Sequence, residues 1–289
     1  MSTRLLEQLL DGLIDDAAVF PPGLAPLPQA VDEHLERTAY RRYIGPLLVP
    51  ATSAAEVVSL AGGAALRVGL IARPGMPIEP VTDSVATLRG SSVQVAGVEV
   101  GAAADWRSLV GDDQAIAGVG VPVTVEIPRD GFDAALDAVA EVARRAPAPE
   151  ADSRVQAKFR TGATETWAWP DEAELARFLI GCVERDLPFK LTGGLHHALR
   201  ADHPGPDGGP QHGLLNVLAA LTCVIDGGDA ATVTGLLAER TPEPLTSILL
   251  PLLPEQADDL RRHFTAYGCC GVLDPVRELA ELDLIDPQE

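Results

Sequence analysis

Short runs rich in Val, Ile and Leu recur along this chain, separated by segments of helical periodicity, and this alternation constrains the fold more than any other feature. Residues 45–50, 66–73, 93–100 and 121–128 are such runs. Each is bounded by turn residues and is largely apolar, as expected of strands buried on both faces. Segments 53–60, 80–88 and 132–145 have the spacing of helices. Strict alternation predicts parallel strands joined by right-handed helical crossovers.

Four further runs extend the count. Residues 154–159 and 187–191 read as strands flanking a helix at 171–184, with Leu175, Phe178, Leu179 and Cys182 on one helix face and acids in the first turn. Residues 17–20, stopped by Pro21-Pro22-Gly23, read as the first strand and 264–270 as the last. The resulting eight strands over 289 residues predict one (β/α)8 TIM-type barrel, which needs roughly 250 residues. An open doubly wound sheet stays open if either terminal strand fails. An amphipathic helix at 5–14 is expected to cap the barrel or dock on a partner, which leaves a homo-oligomer open, and 28–43 reads as a second helix. Residues 146–152 read as a surface loop. The stretch 195–262 forms a loop and helical excursion before the last strand, with a Gly/Pro-rich loop at 201–211 and helices at 212–224, 230–239 and 254–263. Residues 279–285 close the chain.

The formal net charge is −20 and the pI near 4.6, so nucleic acid and anionic membrane surfaces are poor partners. An anionic substrate would have to be gathered by a local cluster of bases. No apolar run approaches 18 residues and the four cysteines follow no regular spacing, so a cytoplasmic protein with reduced thiols is expected. Adjacent Cys269-Cys270 read as small buried residues near a strand end.

Only two of the 22 basic side chains are lysines, Lys158 and Lys190; the other twenty are arginines. Arginine stays charged near neutral pH, whereas a lysine amine can lose its proton and attack a carbonyl. Each lysine lies near the end of a predicted strand and is followed by small residues, Thr161-Gly162 and Thr192-Gly193-Gly194. Active sites of parallel α/β folds collect at that edge. Other polar residues near strand ends are Arg73, Glu99 and Glu126, and a carboxylate inside an apolar strand is costly unless paired or functional. The reading is a lyase or isomerase that needs no cofactor and acts on a small anionic carbonyl compound. Lys158 serves as nucleophile or base, Lys190 and Arg160 hold a carboxylate or phosphate, and Glu126 moves protons. Glu99 is equally consistent with a structural ion pair inside the barrel.

Lys158-Phe159-Arg160-Thr161-Gly162 and Lys190-Leu191-Thr192-Gly193-Gly194 resemble the two strand-end motifs of the deoxyribose-phosphate aldolase group of class I aldolases. The resemblance covers about 40 residues. It implies that Lys158 forms a Schiff base, that Lys190 lowers its pKa, and that Gly193 and Gly194 admit an anionic group to backbone N–H donors beside Thr161. Arg160 stands where that group carries a small residue, and His196 and His197 replace residues that usually follow the glycines.

Two other readings compete. His196, His197, His203 and His212 put four imidazoles into 17 residues, which suggests a metal-dependent barrel enzyme, although adjacent histidines on an extended segment point to opposite sides. A non-catalytic anion-binding barrel would also retain a cluster of bases.

Overall fold

The computed structural model describes residues 3–103, 105–110, 121–145, 155–165, 167–203 and 209–287. Helix α1 (Thr3–Leu10) leads through Gly12, at φ +58°, into strand β1 (Ile14–Asp16). Then follow α2 (Leu27–Glu36), β2 (Ile44–Pro50), α3 (Ala54–Ala61), β3 (Leu66–Ile71), α4 (Glu79–Leu88), β4 (Val93–Gly101) and β5 (Val123–Glu126). The second half runs α5 (Phe132–Arg145), β6 (Val155–Arg160), α6 (Glu172–Glu184) and β7 (Phe189–Thr192), then a small antiparallel hairpin of β8 (Ala201–His203) and β9 (Gly209–Gln211). Helices α7 (Leu214–Ile225), α8 (Ala230–Ala238), α9 (Pro242–Leu249) and α10 (Pro254–His263) precede β10 (Phe264–Cys269) and α11 (Asp274–Glu281).

Strands β1–β7 and β10 close into a ring of eight in the order β1-β10-β7-β6-β5-β4-β3-β2, and the pairings around it are parallel. The fold is therefore a (β/α)8 TIM-type barrel. Register shifts at three joints of the ring: β1 with β2 between Ile14 and Asp16, β10 with β7 between Phe264 and Ala266, and β3 with β4 between Val68 and Gly69.

Alternation along the strands decides what the ring encloses. Phe159 and Phe189 face the helices, joining Phe178 of α6 and Phe264 and Tyr267 of β10 in a row of rings: Phe159–Phe178 centroids lie 4.9 Å apart, Phe178–Phe189 5.3 Å and Phe189–Phe264 5.4 Å. Each buried ring contributes about 2–3 kcal/mol of hydrophobic stabilisation. The neighbours Lys158 and Lys190 consequently point into the ring. Below them, Gln156 donates to Thr124 at 2.7 Å and lies 2.7 Å from the Thr265 hydroxyl. Space inside is tight: a Cβ on Gly69 would stand 2.6 Å from Leu48 Cδ2, and one on Gly268 3.1 Å from Cδ1 of the same leucine.

Several boundaries differ from the sequence expectation. The first strand is Ile14–Asp16, not 17–20, and the first helix stops at Leu10, because the positive φ of Gly12 ends it. Helix α2 ends at Glu36; residues Arg41–Tyr43 form a separate 3-10 turn. The expected cap, α1, buries Leu6, Leu9 and Leu10 and packs against α10. Helix α9 was not among the expected helices; it opens on Pro242, and proline suits the first helical turn. The stretch that closes the chain, expected at 279–285 without an assigned structure, is preceded and overlapped by helix α11, which begins at Asp274 with Pro275 near its start. Part of the loop expected at 201–211 is the β8–β9 hairpin, and the loop expected at 146–152 falls outside the described residues, apart from which no described helix is long and apolar enough to cross a membrane.

The excursion thickens one wall. Ten of the twelve α7 residues are buried, and α8 and α9 cover it. Its polar residue Asn216 accepts from Arg200 N at 2.8 Å and donates to Leu236 O and Glu239 O at 2.8 and 2.7 Å, tying α7 to the end of α8.

Helix α6, between the two lysine strands, opens with a capping box: Asp171 accepts from Glu174 N at 2.8 Å and Glu174 accepts from Asp171 N at 3.1 Å. Substituting Asp171→Ala is expected to lower unfolding free energy by about 1 kcal/mol without altering the fold, as read by urea denaturation followed by circular dichroism.

Candidate active site

The two lysines occupy paired positions on adjacent strands, with Lys158 opposite Lys190 and Glu126 opposite Lys158. They are 3 % and 8 % exposed, so neither amine can rely on water for solvation. Carboxylates replace the water. Glu99 on β4 accepts from Lys158 Nζ at 2.9 Å through Oε2 and from Lys190 Nζ at 2.6 Å through Oε1. Lys190 also pairs with Asp15 of β1, and Lys158 Nζ lies 2.9 Å from Glu126 Oε2. Glu126 Oε1 in turn lies 3.3 Å from Arg160 Nε. The network runs Asp15, Lys190, Glu99, Lys158, Glu126, Arg160: three acids and three bases in alternation, from five strands of the ring.

Protonation follows from this order. Burial pushes Glu99 up, but Lys158 and Lys190 outweigh it and hold its carboxyl at about 2. Burial likewise raises Glu126, and Lys158 and then Arg160 pull it below its ordinary value. Desolvation lowers Lys158, but Glu126 and Glu99 more than compensate, so the amine sits above its ordinary value. Asp15 and Glu99 do the same for Lys190. Asp15 is raised, because burial exceeds the pull of Lys190. The expectation that Lys190 depresses the Lys158 pKa is thus overturned for the resting site: Glu99 stands between the two charges and binds both.

The flanking residues also depart from expectation. Thr161 is pinned to the next strand, its N–H donating to Thr192 O at 2.9 Å and its hydroxyl at 3.3 Å. The glycines serve close packing: a Cβ on Gly162 would lie 1.4 Å from Gly193 O, and one on Gly194 2.5 Å from Thr161 Oγ1. Gly193, at φ +73°, leaves room for Arg160, whose Nη1 would stand 2.8 Å from an added Cβ. Arg73 is exposed at the exit of β3, its guanidinium 5.6 Å from the Phe20 ring centroid and outside the network.

The four histidines do not converge. His196 lies 3.5 Å from Cys269 Sγ and 3.8 Å from Cys270 Sγ, and burial lowers its pKa. His197 pairs with Glu278 of α11 at 2.6 Å and stacks on His203, ring centroids 3.4 Å apart. His212 reaches Pro170 O at 3.0 Å, and its burial and nearby Arg200 pull it down to about 4. Among the described residues no three metal-ligating side chains gather around a common point. The described cysteines are free thiols, with Cys269 buried at the end of β10.

Sequence reasoning missed Asp15 and its neighbour Asp16. Alternation sends Asp16 outward, where it meets His34 Nδ1 at 3.0 Å and Arg37 Nη2 at 3.4 Å. Arg41 Nη1 lies 3.2 Å from His34 Nε2 and can only donate, so Nδ1 carries the proton given to Asp16. The available signal was the run Leu13-Ile14-Asp15-Asp16-Ala17-Ala18, in which acids stand between an apolar pair and small residues.

Fold and site together define a parallel barrel with a charge-balanced acid–base network at the C-terminal ends of its strands. Comparisons with protein-family models, curated proteins and solved structures each find no match.

Since the folded Glu99 value lies below its ordinary 4.5, the stability it contributes is complete above that pH and is lost as pH falls toward about 2. The shift corresponds to on the order of 3 kcal/mol. Glu99→Gln should cost about 3 kcal/mol at neutral pH by removing the carboxylate shared by two buried ammonium groups, each of which keeps a single counter-ion. Denaturant titrations at stepped pH should show the gap between wild type and this variant shrinking from pH 4.5 to 2.

Proposed function

We propose that this barrel is a lyase of the aldolase type, or an isomerase, that acts on a small anionic carbonyl compound through a Schiff base on Lys158. The observation that carries this reading is the setting of the Lys158 amine, 2.9 Å from carboxylate oxygens of both Glu99 and Glu126 on the inward face of β6. An amine held this way has acceptors within reach for the proton it must lose before it can attack a carbonyl.

The chemistry then needs little more. An iminium on Lys158 draws electrons from the neighbouring carbon, so a carbon–carbon bond one atom further can break, or a proton there can leave. The other members of the network have supporting parts. Lys190, fixed between Asp15 and Glu99, supplies positive charge close to the reacting carbon. Arg160 is the natural partner for a substrate carboxylate or phosphate, because its side chain is 23 % exposed where the others are nearly closed off. The strand-end motifs shared with deoxyribose-phosphate aldolases support the same assignment of Lys158.

Borohydride added with small keto acids, aldehydes or sugar phosphates should leave a reduced adduct on the peptide carrying Lys158, read by mass spectrometry. Lys158→Met should abolish the adduct and lower turnover of the same compound by about 10³-fold or more. An unmodified Lys158 across the whole panel would leave an anion-binding barrel instead.

A further inference from the structure

Glu99 and Glu126 both touch Lys158, but they are held differently. Each Glu99 oxygen takes an aligned hydrogen bond from a lysine, at 2.9 and 2.6 Å. Glu126 is looser: its Oε2 is 2.9 Å from Lys158 Nζ yet receives no aligned hydrogen bond, and its Oε1 holds Arg160 Nε at 3.3 Å. Arg160, resting over Gly193 at the exit of β7, is the most exposed group of the network, so an entering anion meets it first.

We propose that the substrate's anionic group arms the nucleophile: it draws the Arg160 guanidinium away from Glu126, and Glu126, relieved of that charge, takes the proton of Lys158. This rests on the Schiff-base reading of Lys158. The resting amine is charged and inert, and it is discharged only when an anion is seated. The pull of Arg160 on Glu126 is a direct contributor to the low proton affinity of that carboxylate at rest. Glu99, saturated by two lysines, stays ionised throughout.

The step balances. Lys158 NH3+ gives one proton to the Glu126 carboxylate and becomes NH2. The amine nitrogen bonds to the carbonyl carbon and passes a second proton to the former carbonyl oxygen. Glu126 returns its proton to that oxygen, which leaves as water, and the product is a protonated imine with one hydrogen on nitrogen. Glu126 ends as it began.

A neutral carbonyl separates the two functions of the substrate. Acetone, trapped on Lys158 by cyanoborohydride between pH 5 and 9, reports amine discharge without carrying an anion. Inorganic phosphate, compared with chloride at equal ionic strength, supplies the anion separately. Phosphate should speed wild-type trapping about tenfold across this pH range, the gain in free amine that a fall of about one pKa unit in Lys158 produces. Arg160→Met should trap at the faster rate with or without phosphate, and Glu126→Gln should trap slowly and ignore phosphate. Labelling of wild-type Lys158 that is indifferent to phosphate, or slowed by it, overturns the arming step while leaving the Schiff base intact. No labelling at any pH, with acetone or with the anionic carbonyl panel, overturns both.

Discussion

One carboxylate makes the interior of this barrel tenable. Lys158 and Lys190 lie opposite one another on neighbouring strands, a separation near 5 Å, at which two ammonium charges repel by about 3 kcal/mol even at an effective dielectric of 20. Glu99 reaches across from β4 and gives one oxygen to each. Without it Lys158 would keep Glu126 and Lys190 would keep Asp15, but no counter-charge would stand between the two ammonium groups. Once Glu99 is committed, the remaining charges follow by pairing outward from it, Asp15 on one side and Glu126 with Arg160 on the other. A barrel interior is ordinarily filled by branched apolar side chains in layers. Here the upper part is occupied by salt, and the cohesion that those layers supply must come from elsewhere.

It comes from the outer face of the same strands. The row of rings from Phe159 through Phe178 and Phe189 to Phe264 binds β6, β7 and β10 to α6, residue by residue beside the lysines. The same backbone alternation that points an amine inward points a ring outward, so the rigidity of the site and its polarity are two faces of one stretch of chain. At the strand exits, glycines let the turns after β6 and β7 touch, which leaves the lysine strands little freedom to part. For the proposed chemistry this matters because carboxylates already standing beside the Lys158 amine would need little reorganisation when charge moves.

Much of this was legible in the sequence, and the limits have physical causes. The alternation of apolar runs and amphipathic segments gave seven of the eight barrel strands, and the scarcity of lysine pointed to β6 and β7. Glu99 and Glu126 stood out as acids in apolar runs. What stayed hidden was set by three-dimensional closure. Asp15 becomes a partner of Lys190 only because β10 and β1 complete the ring, bringing together residues 175 positions apart. The glycines suggested an anion cradle, and what the closed ring adds is their role in packing, since the facing turn fills the places where their side chains would stand. Closely spaced histidines suggested a common centre, yet the hairpin stacks His203 on His197 alone, while His197 turns to Glu278 and His212 to Pro170 O.

The first strand carries an unusual ambiguity. Leu13 and Ile14 are both apolar and Asp15 and Asp16 both acidic, so a slide by one residue would still present a hydrocarbon and a carboxylate to each face. Side-chain chemistry alone therefore discriminates poorly between the two settings. Main-chain bonds decide instead: Tyr267 N to Leu13 O and Ala17 N to Cys269 O, both 2.9 Å, and Gly12 N to Arg42 O at 3.0 Å. The counter-ion of an interior amine is thus positioned by peptide groups at one of the hoop's irregular joints, where the choice between two equivalent acids is made by geometry and not by charge.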